Sequence, residues 1–186
     1  MQFKMQRYSV GLFLFSGFLF VCSWAYTITP IVHKGFPTNT DVTTAPFVKI
    51  GNGYYYFENT TTRNWFDAFT ICRQMNAHLI SIETNEEWSL IMNYRRSVRD
   101  TNRYWTSGTD LGAEGSHVWF ATGKPINLNL WTVNNPDNYK NNEHCDELGW
   151  RPSKSAAEGL NDCSCSARLR YICEAPEPQT ASFIIW

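Results

Sequence analysis

Five cysteines lie between residues 72 and 173 of this 186-residue chain, downstream of a start that reads as an export signal. In an oxidising compartment, Cys72, Cys145, Cys163, Cys165 and Cys173 are expected to build a disulfide framework, and only a fold that brings distant segments together can satisfy one. Five is odd, so at least one thiol is free or pairs with another chain. The export reading rests on residues 1–25. Lys4 and Arg7 form a basic region, an apolar run follows from Val10 to Val21, and Ser23-Trp24-Ala25 supplies the small residues that signal peptidase requires. Cleavage after Ala25 would remove Cys22. The rival reading, an uncleaved anchor, is opposed by a run shorter than the roughly 20 residues a spanning helix needs. No later segment has the composition of a membrane span, so a secreted, extracellular protein is expected. Asn59-Thr60-Thr61 is a glycosylation sequon, reachable in such a protein.

Charge narrows the function classes. Sixteen basic and seventeen acidic residues nearly cancel, and no Lys/Arg run interleaves with aromatics, so nucleic acid is not an expected partner. Eight Trp, nine Tyr and twelve Phe suit a small domain that fills its core with few, large side chains. His33, His78, His117 and His144 show no spacing that pairs a nucleophile with a base, and no nucleophile elbow or metalloprotease helix occurs. An enzyme is not expected.

Along the chain, residues 26–46 are rich in Thr and Pro and lack periodicity, the pattern of a short extended leader without heptads or Gly-X-Y repeats. Aromatic strands at Phe47–Ile50 and Gly53–Phe57 suggest a hairpin. A first helix runs from near Asn64 to Met75 with Trp65, Ala68, Phe69, Cys72 and Met75 on one stripe, and Asn76 is a plausible left-handed stop. A second starts at Thr84, with Glu87 placed to complete a capping box. Its inner face is expected to be Trp88 and Ile91, with Met92, while Arg95, Arg96 and Arg99 suit the negative pole of its dipole. Beyond Asp100 short aromatic strands alternate with turns: Tyr104–Thr106, His117–Phe120 and finally Leu169–Cys173. The tail, 177–186, ends in an apolar Ser-Phe-Ile-Ile-Trp run with no legible purpose. Helices early and irregular strands late predict an α+β fold.

A long polar stretch from Asn134 to Asn142 interrupts the second half, and such a loop in a compact domain is either functional or disordered. It carries Asn135-Pro136-Asp137, with Glu143 next before Cys145; Asn161-Asp162 stands just before Cys165. If Cys145 and Cys165 pair, five oxygen-bearing side chains can converge: Asn135, Asp137, Glu143, Asn161 and Asp162. Mixed carboxylates and amides suit Ca2+, a hard cation taking oxygen ligands. Zinc wants Cys or His in tetrahedral array, and His144 is the only histidine nearby. Asp162 can add its backbone carbonyl. The X-Pro bond makes a cis peptide accessible, which would turn both triplet side chains toward one point. A solvated Asn-rich loop with surface acids is the bland alternative.

From Gly53 to Glu174 the order of motifs resembles the C-type lectin family. The matching features are Cys72 on the first helix, Tyr104-Trp105-Thr-Ser-Gly108, Asn135-Pro136-Asp137, Glu143-x-Cys145, Leu160-Asn161-Asp162-x-x-Cys165 and Tyr171-Ile-Cys-Glu174. The resemblance implies a carbohydrate-recognition domain over 47–176: two helices, irregular antiparallel sheets and a long calcium-binding loop. It implies bridges Cys72–Cys173 and Cys145–Cys165, leaving Cys163 free, capped or able to link two chains. It further implies that Asn135, Asp137, Glu143, Asn161 and Asp162 hold one Ca2+ and, through it, two adjacent sugar hydroxyls. An amide first and an acid third in the triplet is the family's galactose polarity. Tyr139 stands where galactose binders often place a Trp, and is either a sugar platform or an exposed loop aromatic. Asn135 is one methylene shorter than the family's usual Gln, and the Tyr139–Asn142 loop lacks a Gly-rich insertion. Leu160 replaces a usual Trp. Asn138 and His144 stand where an auxiliary second calcium wants acids, so one calcium is expected. The implied function is a secreted lectin for galactose-type glycans on microbes or cells, in the province of innate immunity; a calcium-independent module for a non-sugar ligand is the alternative.

Overall fold

The computed structural model describes residues 31–34, 44–151, 153, 156–177 and 179–182, the first and last of these segments by their backbone alone. The expected signal segment lies outside the described residues. The elements in chain order are β1 (Ile31–Lys34), β2 (Val48–Ile50), β3 (Gly53–Phe57), α1 (Trp65–Gln74), β4 (His78–Leu79), α2 (Asn85–Ser97), β5 (Tyr104–Thr109), β6 (Val118–Trp119), β7 (Lys124–Pro125), β8 (Cys145–Trp150), β9 (Gly159–Cys163), β10 (Arg170–Ala175) and β11 (Gln179–Ser182). A single 3-10 turn, Tyr139–Asn141, lies in the long loop.

The chain forms two compact units, one of which spans Thr43–Pro176. The other holds β1 and β11, paired antiparallel with Ile31 opposite Ser182 and Lys34 opposite Gln179. This pair departs from the unpatterned leader and tail expected from sequence. A two-stranded ladder is held by backbone donors and acceptors, which leave little trace in four-residue segments. Among the described residues no helix is long and apolar enough to cross a membrane.

In the larger unit, β2, β3, β10 and β5 run side by side, with β10 and β5 parallel and the others antiparallel; β6 and β7 extend one edge, while β8 joins β5 to β9. Two helices and irregular sheets give the α+β fold expected. Helix α1 starts where Asn64 accepts the Asp67 N–H at 2.8 Å, which satisfies one of the unpaired donors of its first turn. It buries Trp65, Ala68 and Cys72 and stops at Asn76, whose φ of 55° is the left-handed conformation that Asn tolerates. Helix α2 is capped by Thr84 Oγ1, which accepts the Glu87 N–H at 3.0 Å. Glu87 reaches back one residue further than a capping box requires, accepting the Glu83 N–H at 3.0 Å and the Tyr55 hydroxyl at 2.8 Å.

Arg95 stands in the last turn of α2, where its charge suits the helix dipole as expected. It is fully buried, bonded to Asp100 at 3.1 Å, 3.4 Å from Glu158, and stacked against the Tyr104 ring. The i, i+3, i+4 geometry that places Ile91 inside places Arg95 inside too, so the charge is buried with partners rather than left to solvent. Close packing also fixes Gly108 on β5, where an added Cβ would run into the Asp146 carboxyl group.

One buried carboxylate sets a pH-dependent stability. Glu58 accepts the Thr60 hydroxyl and N–H, both at 2.7 Å, the Thr61 N–H at 3.0 Å and the Tyr56 hydroxyl at 3.0 Å. Burial alone acts to raise its pKa, but these donors favour the charged form and hold it down to about 2. The folded value lies below the roughly 4.3 of an unfolded Glu, so the stabilisation is present above that pH and is lost as pH falls toward 2. Discounted for solvent at exposed Thr60 and Thr61, Glu58→Gln is expected to cost about 1–2 kcal/mol at neutral pH and almost nothing near pH 2. Urea denaturation at both pH values measures this; equal midpoints at neutral pH would contradict it.

Candidate functional site

The polar stretch is ordered by residues that accept unusual backbone. Asn134, Asn138, Lys140 and Asn141 all have positive φ. Asn accepts the left-handed region better than other side chains carrying a Cβ, which gives the loop's Asn content a conformational reason. The Asn135–Pro136 bond is cis. Asp162, fully buried on β9, accepts the Asp137 N–H at 3.0 Å and the Asn138 N–H at 2.6 Å, which pins the triplet against the sheet. Asn138 Oδ1 accepts the Glu143 N–H at 3.0 Å and so closes the loop on itself.

Asp137, Glu143 and Asp162 each offer a carboxylate oxygen, and these oxygens lie within 4.8 Å of one another. At that spacing each pair repels by about 3 kcal/mol for an effective dielectric near 20. The Glu143 pKa is raised, first by burial and then by the charges of Asp162, Asp137 and Glu147. A group of acids so placed asks for a cation.

The two amides present the right atom for one. Asn135 spends an N–H on Thr132 Oγ1 at 2.7 Å. Asn161, buried on β9, spends its N–H groups on Glu147 Oε1 at 2.9 Å and on the Asp162 carbonyl. Each therefore keeps its carbonyl oxygen for an acceptor's role, and an all-oxygen set of three carboxylates and two amides fits calcium. Glu147, fully buried and bonded by Arg103, is an orienting group for Asn161 that the sequence did not single out. The Asp162 carbonyl, expected as a further ligand, accepts one N–H of the Asn161 amide and keeps a second lone pair.

Tyr139 is 61% exposed; its N–H is donated to Glu143 Oε2 at 3.2 Å, and Lys140 Nζ lies 5.1 Å from its ring centre. Cys72–Cys173 and Cys145–Cys165 are bridged, and Cys163 is unbridged. The suggestion that Cys163 links two chains meets an obstacle: the thiol is buried on β9, opposite Cys145, and burial followed by the charge of Glu147 pushes its pKa up to about 11. A thiol so little exposed and so rarely ionised is a poor nucleophile for a link to another chain.

A second cluster, Asp110, Glu114 and His144, was not anticipated as a group. Asp110 and Glu114 sit in a turn between strands, in a stretch with no periodicity to mark it, and only the β5–β8 pairing brings His144 to them.

The Lectin C-type domain family pattern matches residues 61–175 of the chain. C-type lectin 37Da of Drosophila melanogaster is 37% identical over 162 residues, which cover 85% of this chain and 87% of that protein. Salivary C-type lectin 1 of Aedes albopictus is 33% identical over 115 residues, covering 60% of this chain and 75% of that one. The carbohydrate-recognition domain of the human scavenger receptor C-type lectin superposes with a TM-score of 0.62 at 23% identity, over 74% of this chain and all of that one. With the helices, both bridges and the pinned loop in place, the chain belongs to the C-type lectin domain family.

Proposed function

We propose that the protein is a secreted, calcium-dependent lectin that recognises terminal galactose-type sugars on microbial or cell-surface glycans, and that it acts by binding rather than by catalysis. The observation that carries this reading is the convergence of the Asp137, Glu143 and Asp162 carboxylates within 4.8 Å on the cis-proline loop. Asn135 and Asn161 complete the ligand set. Calcium held there supplies unfilled coordination positions for two neighbouring sugar hydroxyls.

The side chains then decide which sugar is accepted. A hydroxyl bound there donates to a carboxylate, a charge-assisted contact, and accepts from a neutral amide N–H. Asn161 has committed its N–H groups to Glu147 and Asp162, so Asn135, with a second hydrogen beyond the one given to Thr132, is the amide donor that remains. The acceptor carboxylate opposite it is Asp137. This order, amide first and acid third, supports galactose over mannose. The exposed Tyr139 ring offers a face for the sugar's apolar side, worth about 0.5–1.5 kcal/mol.

Exchanging the polarity with Asn135→Glu and Asp137→Asn is expected to move preference from galactose toward mannose. Competition of the two free sugars on an affinity column in calcium measures it, and unchanged order of elution would overturn the galactose assignment. Acid is expected to release the sugar. Metal binding requires charged carboxylates, Glu143 takes up a proton at higher pH than an ordinary Glu, and retention should therefore fall as pH drops and be gone by about pH 4. Retention that persists there would speak against metal mediation.

A further inference from the structure

We propose that Asn59 carries an N-linked oligosaccharide, presented to solvent by a turn that folds around the Glu58 carboxylate. Asn59-Thr60-Thr61 is the one Asn-x-Ser/Thr acceptor triplet in the chain. It lies in the link between β3 and α1, and both ends of that link are tied to β10 and its approach. The Glu58 N–H donates to the Tyr171 carbonyl at 3.0 Å, while Arg63 and Leu169 exchange backbone hydrogen bonds at 2.8 and 3.0 Å. Between these anchors Asn59, Thr60, Thr61 and Thr62 are all exposed.

The turn is held without the acceptor. Glu58 Oε1 accepts the Thr60 N–H and hydroxyl, both at 2.7 Å, and the Thr61 N–H at 3.0 Å. Its Oε2 accepts the Tyr56 and Tyr171 hydroxyls at 3.0 and 3.2 Å. Among the described residues neither the Asn59 amide nor the Thr61 hydroxyl enters a hydrogen bond. The two side chains that the modification requires are therefore the two that the turn does not use. A bulky polar group on Asn59 displaces no packed atom and strands no buried donor, as a surface modification must.

This inference rests on the secretion part of the reading above, because the sugar donor is met along the export route. In the transfer, the Asn59 amide nitrogen attacks the anomeric carbon of an oligosaccharide carried on a polyprenyl diphosphate. A nitrogen–carbon bond forms and the bond from that carbon to the diphosphate oxygen breaks. The lipid diphosphate leaves with the bonding pair, and the amide nitrogen gives up one proton.

The test is expression of the full chain in a eukaryotic cell, with the medium analysed by electrophoresis before and after peptide N-glycosidase. The secreted chain should gain mobility on digestion, and peptide mass spectrometry should then read Asp at position 59. Asn59→Gln and Thr61→Ala should run at the digested position, and Thr61→Ser should keep the slower band. Thr60→Ala separates the modification from the turn. It retains the acceptor pattern and should keep the sugar, but it removes a Glu58 donor and should melt lower. Thr61→Ala keeps its N–H on Glu58 and should melt with the digested wild type. A copy in which an established export signal replaces residues 1–25 tests the site apart from the native signal. Unmodified Asn59 in that secreted copy, or a digestible sugar that persists in Asn59→Gln, would overturn the proposal. Sugar on that copy alone, with the native chain retained unmodified in the cell, would support Asn59 as the acceptor and fault the secretion reading instead.

Discussion

Asp137→Ala is expected to abolish useful calcium affinity while barely changing the stability of the calcium-free fold, and Asp162→Ala is expected to damage both. The contrast follows from what each carboxylate touches. Asp137 is exposed, and among the described residues its side chain accepts no hydrogen bond, so in chelator its removal should stay within about 0.5 kcal/mol. Asp162 is fully buried and accepts two N–H groups from the triplet loop, at 3.0 and 2.6 Å. Its truncation strands both donors, and about 2–3 kcal/mol of stability should go with them. Loss of one charged ligand removes about 1.5–3 kcal/mol of binding, or roughly 10- to 100-fold in calcium affinity, from either position. Calorimetric calcium titration and denaturation in chelator read the two effects apart. Equal stability losses would show that the loop is not pinned through Asp162.

Removing the long bridge should have the largest structural effect. Cys72–Cys173 closes a separation of 101 residues, against 20 for Cys145–Cys165. In the chain-entropy model those loops correspond to about 4.7 and about 3 kcal/mol. Cys72, Cys145 and Cys173 belong to one buried cluster with Trp65, Leu79 and Trp105, and the partly buried Cys165 packs against it, so the substitutes also leave small voids. The double variant Cys72→Ser/Cys173→Ser is expected to lose about 4–5 kcal/mol, enough to unfold a domain of ordinary stability near body temperature. Cys145→Ser/Cys165→Ser should cost less in stability but loosen the strand that carries Asn161 and Asp162, and with it calcium binding. Thermal denaturation of both proteins decides the order; a larger loss for the shorter loop would contradict it.

The parts of this molecule that were readable from sequence are those set by local periodicity or by spaced motifs. Helices α1 and α2 announced themselves through apolar stripes and through Asn64 and Thr84 at their starts, and the β2–β3 hairpin through its aromatic strands. The bridges followed from the family resemblance and stand as expected. Strands β8 and β9 were not legible. Cys145-Asp-Glu-Leu-Gly-Trp150 reads as polar, yet Asp146 and Glu147 are fully buried, because His117 and Arg103, distant in sequence, provide their partners. The burial of Arg95 escaped for the same reason: its counter-ions, Asp100 and Glu158, reach it only in the folded chain. Within the candidate site the three carboxylates that the fold brings together, Asp137, Glu143 and Asp162, were legible. The direction of each amide was not, since it depends on Thr132 and Glu147. Pairing across the sheet, rather than composition, gathers Asp110, Glu114 and His144.

Retention of the oxidised protein on immobilised galactose, with calcium and then with a chelator in the same buffer, tests the central claim most directly. Binding in calcium and complete release by the chelator is the predicted result, together with a lower melting temperature in the chelator, because an ion bound only by the native state stabilises it. Retention that is indifferent to the chelator would contradict the account.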